Sequence, residues 1–300
     1  MKRLLLLLLF IGTAVPCPFA ANLFGLEGRI PASITKAFLQ GNYERIWKTI
    51  APDTAIDTSA ITIIYYSRAD KRKFGVRLPE WGGGGAIGRD TIIIPVDRFP
   101  LADMDIGRVT VHELVHIALE RAYGRLRLPR WFHEGLAMTL SGELLFEEQL
   151  TLSRAIFTKR LLPLDSIERV NRFDAFGAAL AYSESHLAAA LLIDKYGIDG
   201  IPELLAAVRK CGTFGDGFLS VFGFAPLEFE RLVRNDITGR YSFLFFFSDT
   251  YLFWLLGALL VVAGFVAVKI SNRKREKLME EEERREDETK EKANGGSPPV

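Results

Sequence analysis

The sequence is poor in cysteine, with only Cys17 and Cys211. A disulfide framework therefore cannot hold the fold, and a hydrophobic core must do so. The sequence also lacks a charge bias: its formal net charge is +1, and no basic stripe appears outside one short run near the C-terminus. These features give no reason to expect nucleic acid as a partner. Charged residues make up 25% of the chain, a globular composition that excludes wholesale disorder.

Histidine is scarce as well. The chain has four histidines, and three of them, His112, His116 and His133, fall between positions 112 and 133. This clustering of a metal-ligating residue type is the first indication of chemistry. The fourth, His186, stands apart in an alanine-rich segment, where the pattern favours a packed or partly exposed side chain.

The N-terminus has the pattern of a secretory signal peptide. Met1-Lys2-Arg3 is followed by an apolar run and then by small residues at Ala20-Ala21, which predicts a signal peptide over residues 1–21. If it is cleaved, one C-terminal helix anchors the protein; if it stays, the chain forms a two-helix hairpin. In both cases residues from about 22 to 242 are expected outside the cytoplasm.

A second apolar run, Thr250 to Val268, contains no charged residue. At about 1.5 Å per residue, a helix of this length covers roughly 28 Å, which is enough to cross the hydrocarbon core of a bilayer. The basic residues that follow, starting at Lys269, predict a cytoplasmic C-terminal side. We therefore expect a single-pass protein of the cell membrane, with a charged cytoplasmic tail over 269–300 that is a solvated helix or disordered.

Between these segments the pattern predicts an α+β fold, because strands come first and helices follow. The predicted strands are Ile61–Tyr66 and Thr91–Ile94, with a glycine loop at Gly82–Gly85 before the second. One broken helix or two short ones are expected from Pro31 to Ile50, interrupted at Gly41-Asn42. Further helical segments are predicted at Ile106–Tyr123, from Trp131, and at Ser166–Val170, Ala178–Tyr196, Ile201–Val208 and Pro226–Asn235. Residues 22–150 and a helical subdomain, 151–240, are expected to form one domain.

The segment His112-Glu113-Leu114-Val115-His116 has the H-E-x-x-H pattern of metalloproteases. On a helix, residues four apart lie on the same face, so both imidazoles can reach one ion. Glu113 lies about a hundred degrees round the helix, where it can reach a metal-bound water without ligating the metal. The flanking residues are apolar, which predicts a buried helix, and a buried histidine pair needs a compensating partner such as a metal.

A catalytic zinc site needs a third protein ligand and an open position. The segment Trp131-Phe132-His133-Glu134-Gly135-Leu136-Ala137 offers either Glu134 or His133 for this role. Because adjacent residues on a helix point apart, only one of the two is expected to face the metal.

The combination of H-E-x-x-H with a downstream W-x-x-E-G-L-A segment resembles the gluzincin metallopeptidases, and in particular the bacterial proteins called peptidase MA-like. The resemblance covers roughly residues 60 to 235. It implies a small N-terminal sheet with an active-site helix, a Zn²⁺ cofactor held by His112, His116 and Glu134, and Glu113 as the catalytic base. His133 departs from the small or polar residue usual before the ligand glutamate.

Gluzincins use a tyrosine or histidine to stabilise the oxyanion, and the resemblance makes Tyr182 the candidate, with a buried helix tyrosine as the alternative. The strand Thr91–Ile94 is expected to offer an open edge for an extended peptide. The run Gly82–Gly85 is then either a mobile rim of the cleft or the tip of a hairpin.

The sequence thus predicts a membrane-anchored zinc metallopeptidase acting on peptide bonds of exported or membrane proteins. Two alternatives stay open. One is a non-catalytic, membrane-tethered binding or assembly module of the same fold, although such a module has no need of Glu113. The other is an amidase that acts on cell-wall peptides. The sequence does not indicate the oligomeric state.

Overall fold

The computed structural model describes residues 23–67, 83–98, 103–124, 126–142, 148–241 and 250–294. The predicted signal peptide, Gly82 and the last residues of the tail lie outside these ranges. The chain divides into two compact units, one within Met1–Ser242 and the other within Phe243–Val300.

A four-stranded sheet forms the N-terminal part of the first unit, in the order β1-β2-β4-β3. Its strands are β1 (Phe24–Gly28), β2 (Ile61–Tyr66), β3 (Gly85–Ile87) and β4 (Thr91–Pro95). β1, β2 and β4 are parallel, whereas β3 runs antiparallel to β4. The β-branched runs of β2 and β4 supply buried side chains, as expected for the centre of a sheet. The two predicted strands are confirmed, whereas β1 and β3 were not predicted.

The prediction that Thr91–Ile94 is an edge strand is wrong. β4 pairs with β2 on one side and with β3 on the other, so among the described strands the outer position belongs to β3. β3 begins at Gly85 and is only three residues long. A segment this short cannot show the alternating apolar pattern that indicates a strand. The hairpin-tip interpretation of the glycine run is also wrong, because the turn between β3 and β4 lies at 88–90.

Helix α1 (Lys36–Ile50) lies between β1 and β2 and continues through Gly41-Asn42, so the predicted break is wrong. The Thr35 side chain caps its N-terminus by accepting from the backbone N–H of Phe38. A glycine inside a helix costs about 1 kcal/mol, and burial of a whole apolar face outweighs that cost. The buried residues of this face are Leu39, Tyr43, Ile46, Trp47 and Ile50.

The remaining described elements of the first unit are helical, as predicted. The helices are α2 (Asp103–Tyr123), α3 (Arg130–Ser141), α4 (Glu148–Phe157), α5 (Ala175–Tyr196), α6 (Gly200–Cys211), α7 (Phe214–Phe222) and α8 (Pro226–Tyr241). The segment Leu164–Arg172 is a 3-10 helix. α3 packs against α2 on one side and against α5 on the other.

Close contact between α3 and α5 depends on Gly135. A Cβ on this residue would lie 2.1 Å from the carbonyl oxygen of Ser185 and 3.0 Å from Cβ of Ala189. α5 also carries small, fully buried residues, which include Ala181 and Ala188. The two backbones can therefore approach closely, which fixes the position of the residues around Gly135.

The second unit contains α9 (Thr250–Asn294), whose N-terminal part is long and apolar enough to cross a membrane. Its apolar window has no buried residue. α5 passes the same test of length and apolarity, but 56% of its window is buried inside the protein, so α5 is a core helix. The charged segment after the apolar run continues as helix to Asn294, which agrees with the solvated-helix alternative for this part of the tail.

Candidate metal centre

Helix α2 places His112 and His116 one turn apart on one face. Their ring centroids lie 4.8 Å from each other. The opposite faces of α2 are anchored in the core, where Leu114, Val115 and Ile117 are fully buried. This anchoring follows from the apolar residues around the motif and fixes the direction in which both imidazoles point.

Helix α3 brings Glu134 to the same point. Its Oε2 atom lies 3.4 Å from Nε2 of His112 and 3.6 Å from Nε2 of His116. One ligand atom from each of the three residues falls within 4.8 Å of the others, so the group could hold a metal ion. Ligand atoms on a tetrahedral zinc ion, each about 2.05 Å from the metal, lie roughly 3.3 Å apart. The donor set and its spacing therefore fit such an ion.

Glu134 is 7% exposed, and its ionisation is governed by the two histidines. Burial alone would raise the pKa of its carboxyl, but the neighbouring imidazoles of His112 and His116 outweigh burial and hold the pKa well below its ordinary value. Glu134 is thus a carboxylate at neutral pH, the form in which it can ligate a metal.

Glu113 is also buried, with 6% exposure, and the chain entering β3 passes close to it. A Cβ on Gly84 would lie 3.1 Å from Oε1 of Glu113 and 3.1 Å from Cγ1 of Val109. A side chain at position 84 would press on the carboxylate, so the glycine run lets the backbone pass beside Glu113. The identity of Gly84 is visible in the sequence, but its approach to Glu113 is not.

Tyr182 projects from α5 toward the same group of residues. Burial raises the pKa of its hydroxyl, and the neighbouring Glu134 carboxylate raises it further, while a hydrogen bond from Arg130 acts in the opposite direction. Glu113 also contributes to this raised pKa. Tyr182 is therefore a buried, protonated hydroxyl that the charges of both glutamates influence.

His133 does not belong to the three-residue group. Its ring stacks on His116, with centroids 4.4 Å apart and an interplanar angle of 4°. Burial, followed by the charge of His116, lowers the pKa of His133 to about 3, so this ring is neutral. The expectation that its side chain points away from the site is thus only partly right, because His133 supports a candidate ligand by stacking. His186 is half-buried on α5 and also lies outside the group.

Arg130 is a residue of the site that the sequence analysis missed. It begins α3, and its Nη2 atom lies 3.1 Å from Oε1 of Glu134. The spacing of four residues between Arg130 and Glu134 was the available signal. Such pairs are common on exposed helix faces, so the spacing alone did not indicate a site.

Comparison with known proteins agrees with this architecture. The family model described as the Peptidase MA superfamily matches residues 46–239, a range that contains every residue of the candidate centre. The chain is 30% identical over 129 residues to the uncharacterized protein YhcO of Bacillus subtilis (strain 168). The match covers 41% of this chain and 39% of YhcO, so the chain spans about two fifths of that relative's length. No solved structure matches the chain. Because the family model covers well over half of its length, the chain belongs to the peptidase MA superfamily.

Proposed function

We propose that this protein is a zinc-dependent peptidase in which His112, His116 and Glu134 hold the metal. The observation that carries the proposal is the convergence of three ligand atoms from α2 and α3. At 3.4 and 3.6 Å, the imidazole–carboxylate contacts are longer than good hydrogen bonds, which lie near 2.9 Å. The distances suit a shared ion better than direct pairing. A site with three protein ligands leaves one position open for water or substrate.

Zinc bound by these residues would lower the pKa of its water toward about 7 and polarise the scissile carbonyl. Glu113 is the general base: its carboxylate accepts the proton of the attacking water and passes it to the leaving amine. The position of Glu113 supports this role, since it follows His112 on α2 and is shielded from solvent.

Tyr182 is proposed to donate a hydrogen bond to the oxyanion. Its hydroxyl stays protonated because burial raises its pKa, and it lies beside the carboxylates on which the chemistry depends. A preorganised donor aimed at the developing charge stabilises the transition state more than the ground state.

The substrate is proposed to bind as an extended strand along β3. Among the described strands, β3 lies at the edge of the sheet next to β4. The chain that enters β3 passes Glu113 at Gly84. Backbone hydrogen bonds to a sheet edge would place a peptide bond beside the base with little dependence on side-chain identity. The edge strand proposed here replaces Thr91–Ile94, which is paired on both sides.

The peptidase unit is proposed to lie outside the cytoplasm, with α9 as its anchor. Support comes from the apolar part of α9 and from the basic residues that follow it, beginning at Lys269. The substrates would then be exported proteins or the exposed segments of membrane proteins.

The test compares the purified full chain with its Glu113→Gln variant, using unfolded casein and peptidoglycan fragments as substrates. We expect the wild type to bind one zinc and cleave casein, and the variant to keep its zinc while losing activity by about 10²- to 10⁴-fold. Full activity in the variant would overturn the assignment of Glu113. Zinc binding without cleavage of either substrate would instead support a non-catalytic module, and cleavage of peptidoglycan fragments alone an amidase.

A further inference from the structure

The two oxygens of Glu134 have different partners. Oε2 faces the Nε2 atoms of His112 and His116, whereas Oε1 lies 3.1 Å from Nη2 of Arg130. The arginine is one helical turn before the glutamate, and a salt bridge at this distance takes up Oε1 as an acceptor.

We propose that Arg130 is a positioning residue that restricts Glu134 to a single ligand atom, Oε2. This inference rests on the proposed metal site, and it concerns a residue outside the H-E-x-x-H and E-G-L-A motifs.

Arg130 is itself held in place from the 3-10 helix Leu164–Arg172. Its backbone N–H donates to Oε1 of Glu168 at 2.7 Å, and Nη2 donates to Oδ1 of Asn171 at 3.4 Å. The side chain is 31% exposed, so it lies at the rim of the site, with its guanidinium directed inward. These contacts tie the start of α3 and the guanidinium to one neighbouring element.

This role of Arg130 follows from the number of coordination positions around the metal. A carboxylate with both oxygens free can bind through both and occupy an extra position. With Oε1 bonded to Arg130, only Oε2 remains for the ion, and a fourth position stays open for water. The planar guanidinium can serve Oε1 and a second acceptor at once, which the single ammonium of lysine does less well.

The test uses the full chain in detergent, loaded with Co²⁺, and compares Arg130→Met, Arg130→Lys and the control Arg240→Met. Arg240 forms an analogous pair with Asp236, four residues earlier on α8, but its side chain is 56% exposed and lies outside the site. The readouts are the cobalt content, the visible absorption of Co²⁺, and kcat and KM for casein. Circular dichroism establishes that each variant is folded.

In Arg130→Met, Glu134 is free to bind through both oxygens, so we expect one Co²⁺ per chain with weaker visible bands, as a higher coordination number produces. We also expect kcat to fall about 10- to 100-fold, the usual effect of losing a partner of a metal ligand, with a smaller change in KM. Arg130→Lys should restore the cobalt spectrum and most of the kcat, because one charged donor suffices for Oε1. Arg240→Met should match the wild type.

An unchanged cobalt spectrum in folded Arg130→Met would overturn this role of Arg130. Failure of the proposed function has a different signature, namely a wild-type chain that binds Co²⁺ and cleaves no casein. In that case the comparison of spectra still tests the role of Arg130 toward Glu134.

Discussion

Helix α2 carries two buried polar clusters that differ in how well the protein satisfies them. At its C-terminal end, the Arg121 guanidinium donates to the carbonyl oxygens of Arg89, Ser59 and Ala60 at 2.7, 2.8 and 2.9 Å. In its middle, His112 and His116 contact Glu134 only at 3.4 and 3.6 Å. In addition, Nδ1 of His116 is buried and has no hydrogen-bond partner among the described residues.

The difference separates a structural cluster from a functional one. Buried polar groups in native proteins are nearly always satisfied, and those that are not need an explanation. The three guanidinium nitrogens of the buried Arg121 each donate to a backbone carbonyl at short distance, so this cluster is complete with protein atoms alone. The cluster around Glu134 is held only by longer contacts, and a metal ion bound through Oε2 and the two Nε2 atoms is the partner that fits them.

Removal of Arg121 should produce the largest effect on stability. Arg121→Met removes three hydrogen bonds to backbone carbonyls, each contributing about 1 kcal/mol, so we expect the free energy of unfolding to fall by about 3 kcal/mol. Urea denaturation would show this as a lower midpoint with an unchanged slope. The folded variant should still bind one zinc.

Arg240→Met is the matched control for this experiment, because an exposed pair within a helix contributes at most about 0.5 kcal/mol. If Arg121→Met lost its zinc while keeping wild-type stability, the division of α2 into a structural and a functional cluster would be wrong.

A substitution between α3 and α5 should affect both stability and the metal centre. In Gly135→Ala, the new Cβ would lie 2.1 Å from the carbonyl oxygen of Ser185, so the helices must separate and carry Glu134 away from the histidines. We expect a loss of about 2 kcal/mol, typical of overpacking, together with weaker zinc binding by titration.

The control for this substitution is Gly239→Ala, where a Cβ meets nothing within 4 Å. Alanine there should stabilise α8 by about 0.5–1 kcal/mol, since it is the better helix former. Unchanged zinc affinity in Gly135→Ala would mean that Glu134 does not depend on the contact between α3 and α5.

The last comparison concerns the pH dependence of stability. It depends on the buried carboxyl of Glu184, which lies on α5 and is 2% exposed. Burial raises its pKa to about 8, although a hydrogen bond from the backbone N–H of Leu162 lowers it in part. The unfolded chain ionises this group more easily, so wild-type stability should decrease as the pH rises from its ordinary pKa of 4.5 to about 8.

Glutamine at position 184 can accept the same hydrogen bond and cannot ionise. We therefore expect Glu184→Gln to become more stable than the wild type as the pH rises from 4.5 to 8, with little difference near pH 4.5. Parallel urea midpoints at both pH values measure this. A difference independent of pH would show that Glu184 ionises equally in both states.

Sequence patterns predicted those parts of the molecule that depend on local periodicity. The spacing of His112 and His116 determines a shared helix face, and the β-branched run Ile61–Tyr66 determines a strand. Both follow from geometry within one element, and for Glu134 the spacing had to be combined with family resemblance. The predicted break at Gly41-Asn42 failed because tertiary burial of α1 outweighs the local cost of glycine.

The remaining features depend on contacts between elements, which local patterns do not encode. Gly84 approaches Glu113 only because β3 adds to the sheet beside α2. His133 reaches the site by stacking, which the angle between successive helix residues did not suggest. Arg130 matters because its partner Glu134 meets the histidines of α2, a different helix.

The most direct test of the metal centre is the zinc content of the purified full chain, measured by elemental analysis for the wild type and for Glu134→Ala. We predict one zinc per wild-type chain and a large loss in the variant, because α3 then contributes no ligand. Full zinc occupancy in a folded Glu134→Ala protein would contradict the assignment of Glu134 as the third ligand.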